Sequence, residues 1–488
     1  MGYHNCWDPI YRIGTREFRK RCCINTNKAI SLQKDIDAVD EALKDKGIST
    51  EGFTPEDYKN AIEELSAEQY YGIEFDITDS SPLCTRIGDM QLHSTLPVHS
   101  KMRGCLLADD GTVVKYLNSS DWTSEVRDGS QGQVMVEVPE HWIRFETDGN
   151  KRRVYVSERE ISSFMRVPKY YVSAYEAALD RTNNILCSVV NDTTQFRGGN
   201  NSSAWDGTGK SLLGKPVTAK TRAQMRTAAR NRNSVDPRWN ILTYNIYKDL
   251  FWLYYIEYAN LNCQDTYTGE RDANGYRQGG LGAGVTNISS ADWSAFNGYA
   301  PLISCGHTDS LGNSTGVVPF EMPEEFGKEL ITYVPRWRGI ENIFGHLWKH
   351  CDGMIIDVQS EEAGGESKFY VFDRPENYKD TIDEHAIYIG NQIRAEGYLK
   401  EVAFGDFGDI YATAVNGGAS STKYFCDYTY NVNIPATGNA LRTLLLGGSA
   451  DYGAGAGLGY LYSYYSVSYS YSSSSSSRYG FRLCFISE

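Results

Sequence analysis

The apolar positions of this chain change period several times, and each change marks a new element. Ala29, Leu32, Ile36, Val39 and Leu43 follow a 3-4-3-4 spacing, with Lys34, Asp35, Asp37, Asp40, Glu41 and Lys44 on the other faces. That is an a/d helical seam, readable either as an oligomerising coiled-coil stem or as one amphipathic helix packed on its own domain. Gly47 ends it. A second helix is predicted over Thr54–Glu68: Thr54 caps it, Pro55 takes the first position, and Glu56 and Asp57 meet the N-terminal dipole. From Tyr70 to about Val156 the period falls to two. Val134–Val138 and Arg153–Val156 alternate as strands, with turn signals at Gly111, Asp128-Gly129 and Asp148-Gly149. Beyond Pro168, Lys169–Ala177 alternates again, and helical spacing returns over Lys220–Arg230 and Asn240–Asn262. After Asn262 short strand signals stand among Gly-rich loops, with no long helix.

These shifts predict an α+β chain in three parts. Residues 1–69 form an N-terminal region with a short helical stem, residues 70–165 a small β-rich domain, and residues 166–488 the C-terminal domain. A length of 488 residues suits two to three domains.

Composition narrows the function. The net charge of −14 argues against nucleic acid, whose binding draws on Lys and Arg, so Arg16–Arg21 and Lys151–Arg153 read as solvated faces. No run approaches the roughly 18 apolar residues of a membrane helix, so no membrane insertion is expected. Met1–Ile10 lacks the basic and apolar regions of a secretory signal. The eleven cysteines are odd in number, scattered and without CxxC spacing, which points to reduced thilols of a chain made in a cytoplasm rather than to zinc. His346 and His350 have an i, i+4 spacing, but no Glu follows His346, and they read as ordinary polar residues beside Trp348. Glu257 lies in an apolar helix and reads as a structural carboxylate, bonded to backbone or to an Arg such as Arg222 or Arg226. No cofactor or catalytic residue is expected. Asp-rich loops leave room for a structural Ca²⁺, but no spacing specifies one.

Tyrosine is the anomaly. Its 35 copies outnumber Phe (18) and Trp (9) together, so much of the aromatic surface carries a polar tip suited to half-wet positions. The densest stretch closes the chain. Tyr460, Tyr462 and Tyr464 alternate, the phase slips, and Tyr465, Val467, Tyr469 and Tyr471 alternate again before Ser472–Ser477. Period two places each set on one face of an extended chain, and the slip predicts a bulge or turn at Tyr464-Tyr465. A flexible Ser-rich linker is the plain alternative, but only Phe481–Glu488 follows it, and a linker needs no directional face. Tyr supplies contact area at small entropic cost and Ser supplies hydrogen bonds, the mixture used by antibody paratopes. The expected ligand-binding residues are Asp451, Tyr452, Tyr460, Tyr462, Tyr464, Tyr465, Tyr469, Tyr471, Ser473, Ser475, Arg478 and Tyr479, although Tyr460 also fits a core position.

An ordered series of segments carries a resemblance. VPKYYVSAYE (Val167–Glu176) is followed by TRAQMRTAAR (Thr221–Arg230), GIENIFGHLW (Gly339–Trp348) with Asp352-Gly353, LRTLLLGGS (Leu441–Ser449) and YGFRL (Tyr479–Leu483). This series resembles the formylglycine-generating-enzyme type of C-type-lectin-like fold over the C-terminal two thirds of the chain. The layout of Gly447–Ala450, a Tyr/Ser-rich stretch and Gly480–Cys484 is similar to the variable proteins of diversity-generating retroelements and to tail-fibre proteins of phages infecting gut Bacteroidales. Tyr71–Asp76, Thr85–Gly88, Leu96-Pro97, Lys101–Cys105 and Gly132–Glu137 are similar to the segment preceding the lectin fold in such phage proteins.

The resemblance implies a receptor-binding, fibre-tip protein of the virion, made in the host cytoplasm and homotrimeric. Other virion proteins would hold its N-terminal region, and residues 449–479 would meet a bacterial surface protein or glycan. It also implies that adenine replacement could have produced Asp451, Tyr452, Tyr462, Tyr464, Tyr465, Tyr469 and Tyr471. A bacterial surface adhesin of the same fold is an alternative, though Cys6 lacks the apolar run of a lipoprotein signal. A formylglycine-type oxidase is another, but no Cys lies between Gly447 and Tyr479, and Cys426 and Cys484 do not match the family's close pair. The tripeptides typical of Ca²⁺-dependent sugar recognition do not occur either, so a lectin fold would not by itself imply sugar binding.

Overall fold

The computed structural model describes residues 69–468 and 477–487, with Glu41 and Thr50. The chain divides into two compact units, Met1–Tyr70 and Tyr71–Glu488. The helical expectations over Ala29–Leu43 and Thr54–Glu68 lie outside the described residues. The second unit is an α+β, sheet-rich structure with few helices, and none of the described helices is long and apolar enough to cross a membrane.

Its centre is a six-stranded sheet in the order Trp239–Ile241, Leu483–Ile486, Tyr170–Ser173, Gln133–Val138, Arg103–Leu107, Val113–Tyr116, every pair antiparallel. Residues on both sides of position 165 therefore share one sheet, Val136 opposite Val172. The alternation read from the sequence explains why both faces are covered. Val134, Val136 and Val138 enter one core with the helix Tyr244–Tyr258, while Met135 enters a second with Cys105, Leu107, Phe485 and the helix Arg222–Arg230.

Both helices have legible causes. Thr221 and Gln224 form a reciprocal capping box at the start of Arg222–Arg230, whose Met225, Ala228 and Ala229 are buried. The helix Tyr244–Tyr258 starts at the Thr243 cap and stops where Ala259 turns left-handed (φ 50°). Thirteen of its fifteen residues are buried, with Asn245 and Lys248 alone meeting solvent, so the helix forms the core itself. It is shorter than the expected Asn240–Asn262 because Trp239–Ile241 joins the sheet. A short helix absent from the sequence reading, Ser290–Asn297, is capped by Ser289.

A five-stranded sheet packs beside this core in the order Thr85–Gly88, Tyr71–Asp76, Lys151–Ser157, His141–Asp148, Met165–Val167. Its hairpin turns at the expected Asp148-Gly149, with Gly149 at φ +57°. Three smaller strand groups carry the tyrosine-rich end of the chain. Leu461–Tyr462, Leu445–Leu446, Trp348–His350 and Tyr479–Gly480 form one; Tyr428–Thr429, Gly397–Phe404 and Asp409–Val415 form the second. Ala386–Asn391, Ser367–Phe372, Met354–Gln359 and Asn439–Arg442 form the third.

Candidate functional site

Beneath the tyrosine-rich segment lies a frame of buried charged groups drawn from segments far apart in sequence. Glu176 accepts from His346 Nδ1 and lies 3.0 Å from Lys349 Nζ. The backbone N–H groups of Leu302 and Ile303 both donate to His346 Nε2, at 3.0 and 3.1 Å, which leaves the ring proton on Nδ1, facing the carboxylate. Burial opposes the Glu176 charge, but the hydrogen bond from His346 and the Lys349 ammonium outweigh it and hold the carboxyl at about 2. Burial pulls Lys349 down to about 8. His346 and His350 do not share a helix face: His346 occupies a left-handed turn (φ 53°), and His350 ends a strand with its ring stacked on Phe481.

Arg226 forms a fork on Asp352, at 2.6 and 2.7 Å, and Arg222 and Arg226 share Asp380. Arg482 is fully buried and donates to the carbonyls of Ser173 (2.6 Å), Asn342 (3.1 Å) and Glu341. Thus Val167–Glu176, Thr221–Arg230, Gly339–Asp352 and Tyr479–Leu483 are joined by side chains. Gly447 and Gly448 take positive φ values of 88° and 77°, which turn Leu441–Ser449 into the tyrosine-rich segment.

On this frame stands an aromatic cluster centred on Trp348. Its ring meets Tyr460 at 4.5 Å, Tyr452 at 5.3 Å and Tyr462 at 5.3 Å between centroids. Tyr460, Tyr462 and Tyr479 are buried, so of the expected binding residues these three form the floor. Tyr452, Tyr464 and Tyr465 are half-buried and stand at its margin. Tyr465 touches both Tyr462 (5.1 Å) and Tyr479 (5.5 Å), and its hydroxyl accepts from Tyr479 at 3.1 Å. The extended alternation is interrupted. Among the described residues of this stretch, Leu461–Tyr462 pairs as a strand, the chain bends at Tyr465, Ser466 makes a single bridge to Arg442, and Val467 is buried against Ile355 and Phe372. Tyr469, Tyr471, Ser473 and Ser475 lie outside the described residues.

Asp451 and Arg478 pair with each other. Arg478 Nη1 donates to Asp451 Oδ2 at 2.9 Å, and its guanidinium stacks 4.3 Å from the centroid of Tyr299.

The cluster continues into residues that the sequence reading did not single out. Tyr430 stacks on Tyr462 at 5.1 Å and 17°, and touches Tyr464 at 5.5 Å. Tyr428 meets Tyr460 at 6.0 Å and Tyr398 at 5.4 Å. The available signal was local: Tyr428-Thr-Tyr430 and Glu396-Gly-Tyr398 each alternate polar aromatic or acidic positions with a small or buried one.

Glu257 is a buried structural carboxylate, but its partners are Arg338 (2.7 and 3.0 Å), Arg277 (3.2 Å) and Trp337 Nε1 (2.9 Å), not Arg222 or Arg226. Among the described residues, Asp383, Glu384 and His385 are the one group whose ligand atoms come close enough for a metal ion, and Asp383 is already paired with Lys379. All described cysteines are free thiols.

No protein-family model matches the chain, and no curated protein matches it.

Proposed function

We propose that the Tyr71–Glu488 unit ends in a C-type-lectin-like fold of the formylglycine-generating-enzyme type. In this reading the chain is a virion receptor-binding or fibre-tip protein that grips a bacterial surface ligand with the tyrosine face of residues 449–479. One observation carries the reading: half-buried Tyr452, Tyr464 and Tyr465 stand on a floor of buried Trp348, Tyr460, Tyr462 and Tyr479. Rings already fixed by packing lose little freedom when a ligand covers them. The buried frame adds support, because it joins the segments that carry the resemblance.

Binding is favoured over oxidase chemistry by the state of the thiols flanking the segment. Burial pushes the Cys426 thiol up to about 12 and that of Cys484 higher still, which removes the reactive thiolate. A homotrimer held to the virion through residues 1–69 would add avidity to weak single-site contacts. Retroelement diversification, where present, would act most usefully at Tyr452, Tyr464 and Tyr465, whose rings reach the surface. A nearby template repeat differing only at adenines is its test.

The function is tested by adsorption of the purified full chain to Bacteroidales host cells. Saturable adsorption of the wild type, reduced at least about tenfold by the double substitution Tyr464→Ala and Tyr465→Ala, is the expected result; a tenfold change corresponds to about 1.4 kcal/mol. Undiminished adsorption of the variant overturns the site, and absence of wild-type adsorption overturns the function.

A further inference from the structure

The strands Gly397–Phe404 and Tyr428–Thr429 pair antiparallel, with Tyr398 opposite Tyr428 and Gly397 opposite Thr429. Glu396 and Tyr430 adjoin this two-residue pairing, one step beyond Gly397 and Thr429, and their side chains are hydrogen-bonded to each other. Side chains two apart share a face, so Glu396, Tyr398, Tyr428 and Tyr430 form one platform while Thr429 points inward and is buried. The platform is rigidly held. Leu399 N donates to the Asp427 carbonyl at 2.8 Å, and Tyr430 N donates to the Leu461 carbonyl at 3.0 Å. Asn416 holds the Glu396 carbonyl through its side chain (3.0 Å) and the Tyr398 carbonyl through its backbone N–H (2.9 Å).

Its chemistry is specific. The Tyr398 and Tyr428 rings meet at 79°, forming a corner of two π-faces, and Tyr430 lies flat on Tyr462. The exposed Glu396 carboxylate stands beside Tyr430 and raises the phenols of Tyr428 and Tyr430 together with their burial. No Lys, Arg or His among the described residues forms an ion pair with Glu396. Arg394 is committed to Glu361, and Lys400, next on that face, lies over the Tyr424 ring. An exposed carboxylate bordering half-buried tyrosines is the surface that attracts a cation: the carboxylate supplies charge, and the ring faces supply quadrupole attraction at little desolvation cost.

We infer that Glu396, Tyr398, Tyr428 and Tyr430 form a fixed cation-binding subsite, adjoining the 449–479 face, that takes a Lys or Arg side chain of a protein ligand. The inference rests on the binding reading above and assigns its ligand class. Being on framework strands, the subsite would stay constant while the neighbouring segment varied.

The test is titration of the full chain with hexalysine, hexaglutamate and maltohexaose. Hexalysine should bind and hexaglutamate should not. Glu396→Gln and Tyr398→Ala should each weaken hexalysine about fivefold or more, the scale of one lost charge-assisted or cation–π contact. Glu384→Gln, the same charge change at an exposed site outside the platform, should alter it less than about twofold, as expected of a screened surface charge. Equal weakening by Glu396→Gln and Glu384→Gln overturns the inference, as does maltohexaose binding that outlasts Glu396→Gln with no hexalysine binding. Host-cell adsorption unchanged by Glu396→Gln overturns the subsite while leaving the receptor-binding reading intact. Absent wild-type adsorption with Glu396-dependent hexalysine binding does the reverse.

Discussion

The Asp451 carboxylate and the Arg478 guanidinium lie 2.9 Å apart although 27 residues of chain separate them. The pair closes the tyrosine-rich segment on itself just inside Gly447-Gly448 and Gly480. Both side chains are largely withdrawn from water, and Tyr299 covers the guanidinium, so two residues expected to face a ligand are occupied with holding the segment's ends.

Removing one partner therefore costs more than a surface ion pair would. Arg478→Ala leaves a mostly buried carboxylate unpaired and should lower stability by about 2 kcal/mol, within the range for charged hydrogen bonds. Urea unfolding of Arg478→Ala, Asp451→Ala and the double variant forms a cycle. A coupling near zero would mean that the pair does not hold the segment.

The tyrosines should separate into two classes. Tyr460→Ala and Trp348→Ala empty a packed floor and should cost about 3–5 kcal/mol, with ligand binding lost through unfolding. Tyr464→Ala removes a ring at the margin and should cost less than about 1.5 kcal/mol while still weakening adsorption. Thermal melts beside cell adsorption distinguish the classes; a melt of Tyr464→Ala as low as that of Tyr460→Ala would place it in the floor.

What the sequence could reveal followed the range of the interactions concerned. The helix Arg222–Arg230 was legible because its capping box and its spacing are local. The late start of the helix Tyr244–Tyr258 was not, because Trp239–Ile241 is claimed by the strand Leu483–Ile486. The role of Glu257 as a structural carboxylate followed from its apolar helix, but its partner Arg338 lies 81 residues away and no local pattern points to it. Alternation suggested a face of tyrosines. It could not show that Trp348 comes up beneath Tyr460 and Tyr462, nor that Tyr428 and Tyr430 extend the cluster from another strand.

Acid stability should depend on Glu341. Burial and the neighbouring Asp309 charge raise its carboxyl to about 7, against the partial relief of Arg336 and of the Thr308 hydrogen bonds. The folded state therefore keeps this proton between its ordinary value of 4.5 and about 7, where the unfolded chain has lost it. Stability from this group is greatest below that window and falls as pH rises through it. Urea unfolding at pH 5 and pH 7.5 should show this decline in the wild type and a smaller one in Glu341→Gln, and an equal decline in both would remove Glu341 as its source.

The paired glycines that open the tyrosine segment are not equivalent, and substitution should reveal the difference. Both hold positive φ, so alanine at either is strained by about 1–2 kcal/mol. At Gly447 the added Cβ would meet its nearest neighbour, Phe344 Cα, at 3.3 Å, which a small shift relieves. At Gly448 it would stand 2.7 Å from Ala456 Cβ and 3.0 Å from Ala456 Cα, and the backbone leading to Tyr460 would have to move. Gly448→Ala should thus melt lower than Gly447→Ala. Displacement of Ala456 should also disturb the packing of Tyr460 on Trp348, so near-ultraviolet circular dichroism of the aromatic cluster should change in Gly448→Ala and stay close to wild type in Gly447→Ala. Identical melts and spectra for the two variants would mean that backbone conformation alone, and not the approach of Ala456, requires glycine at position 448.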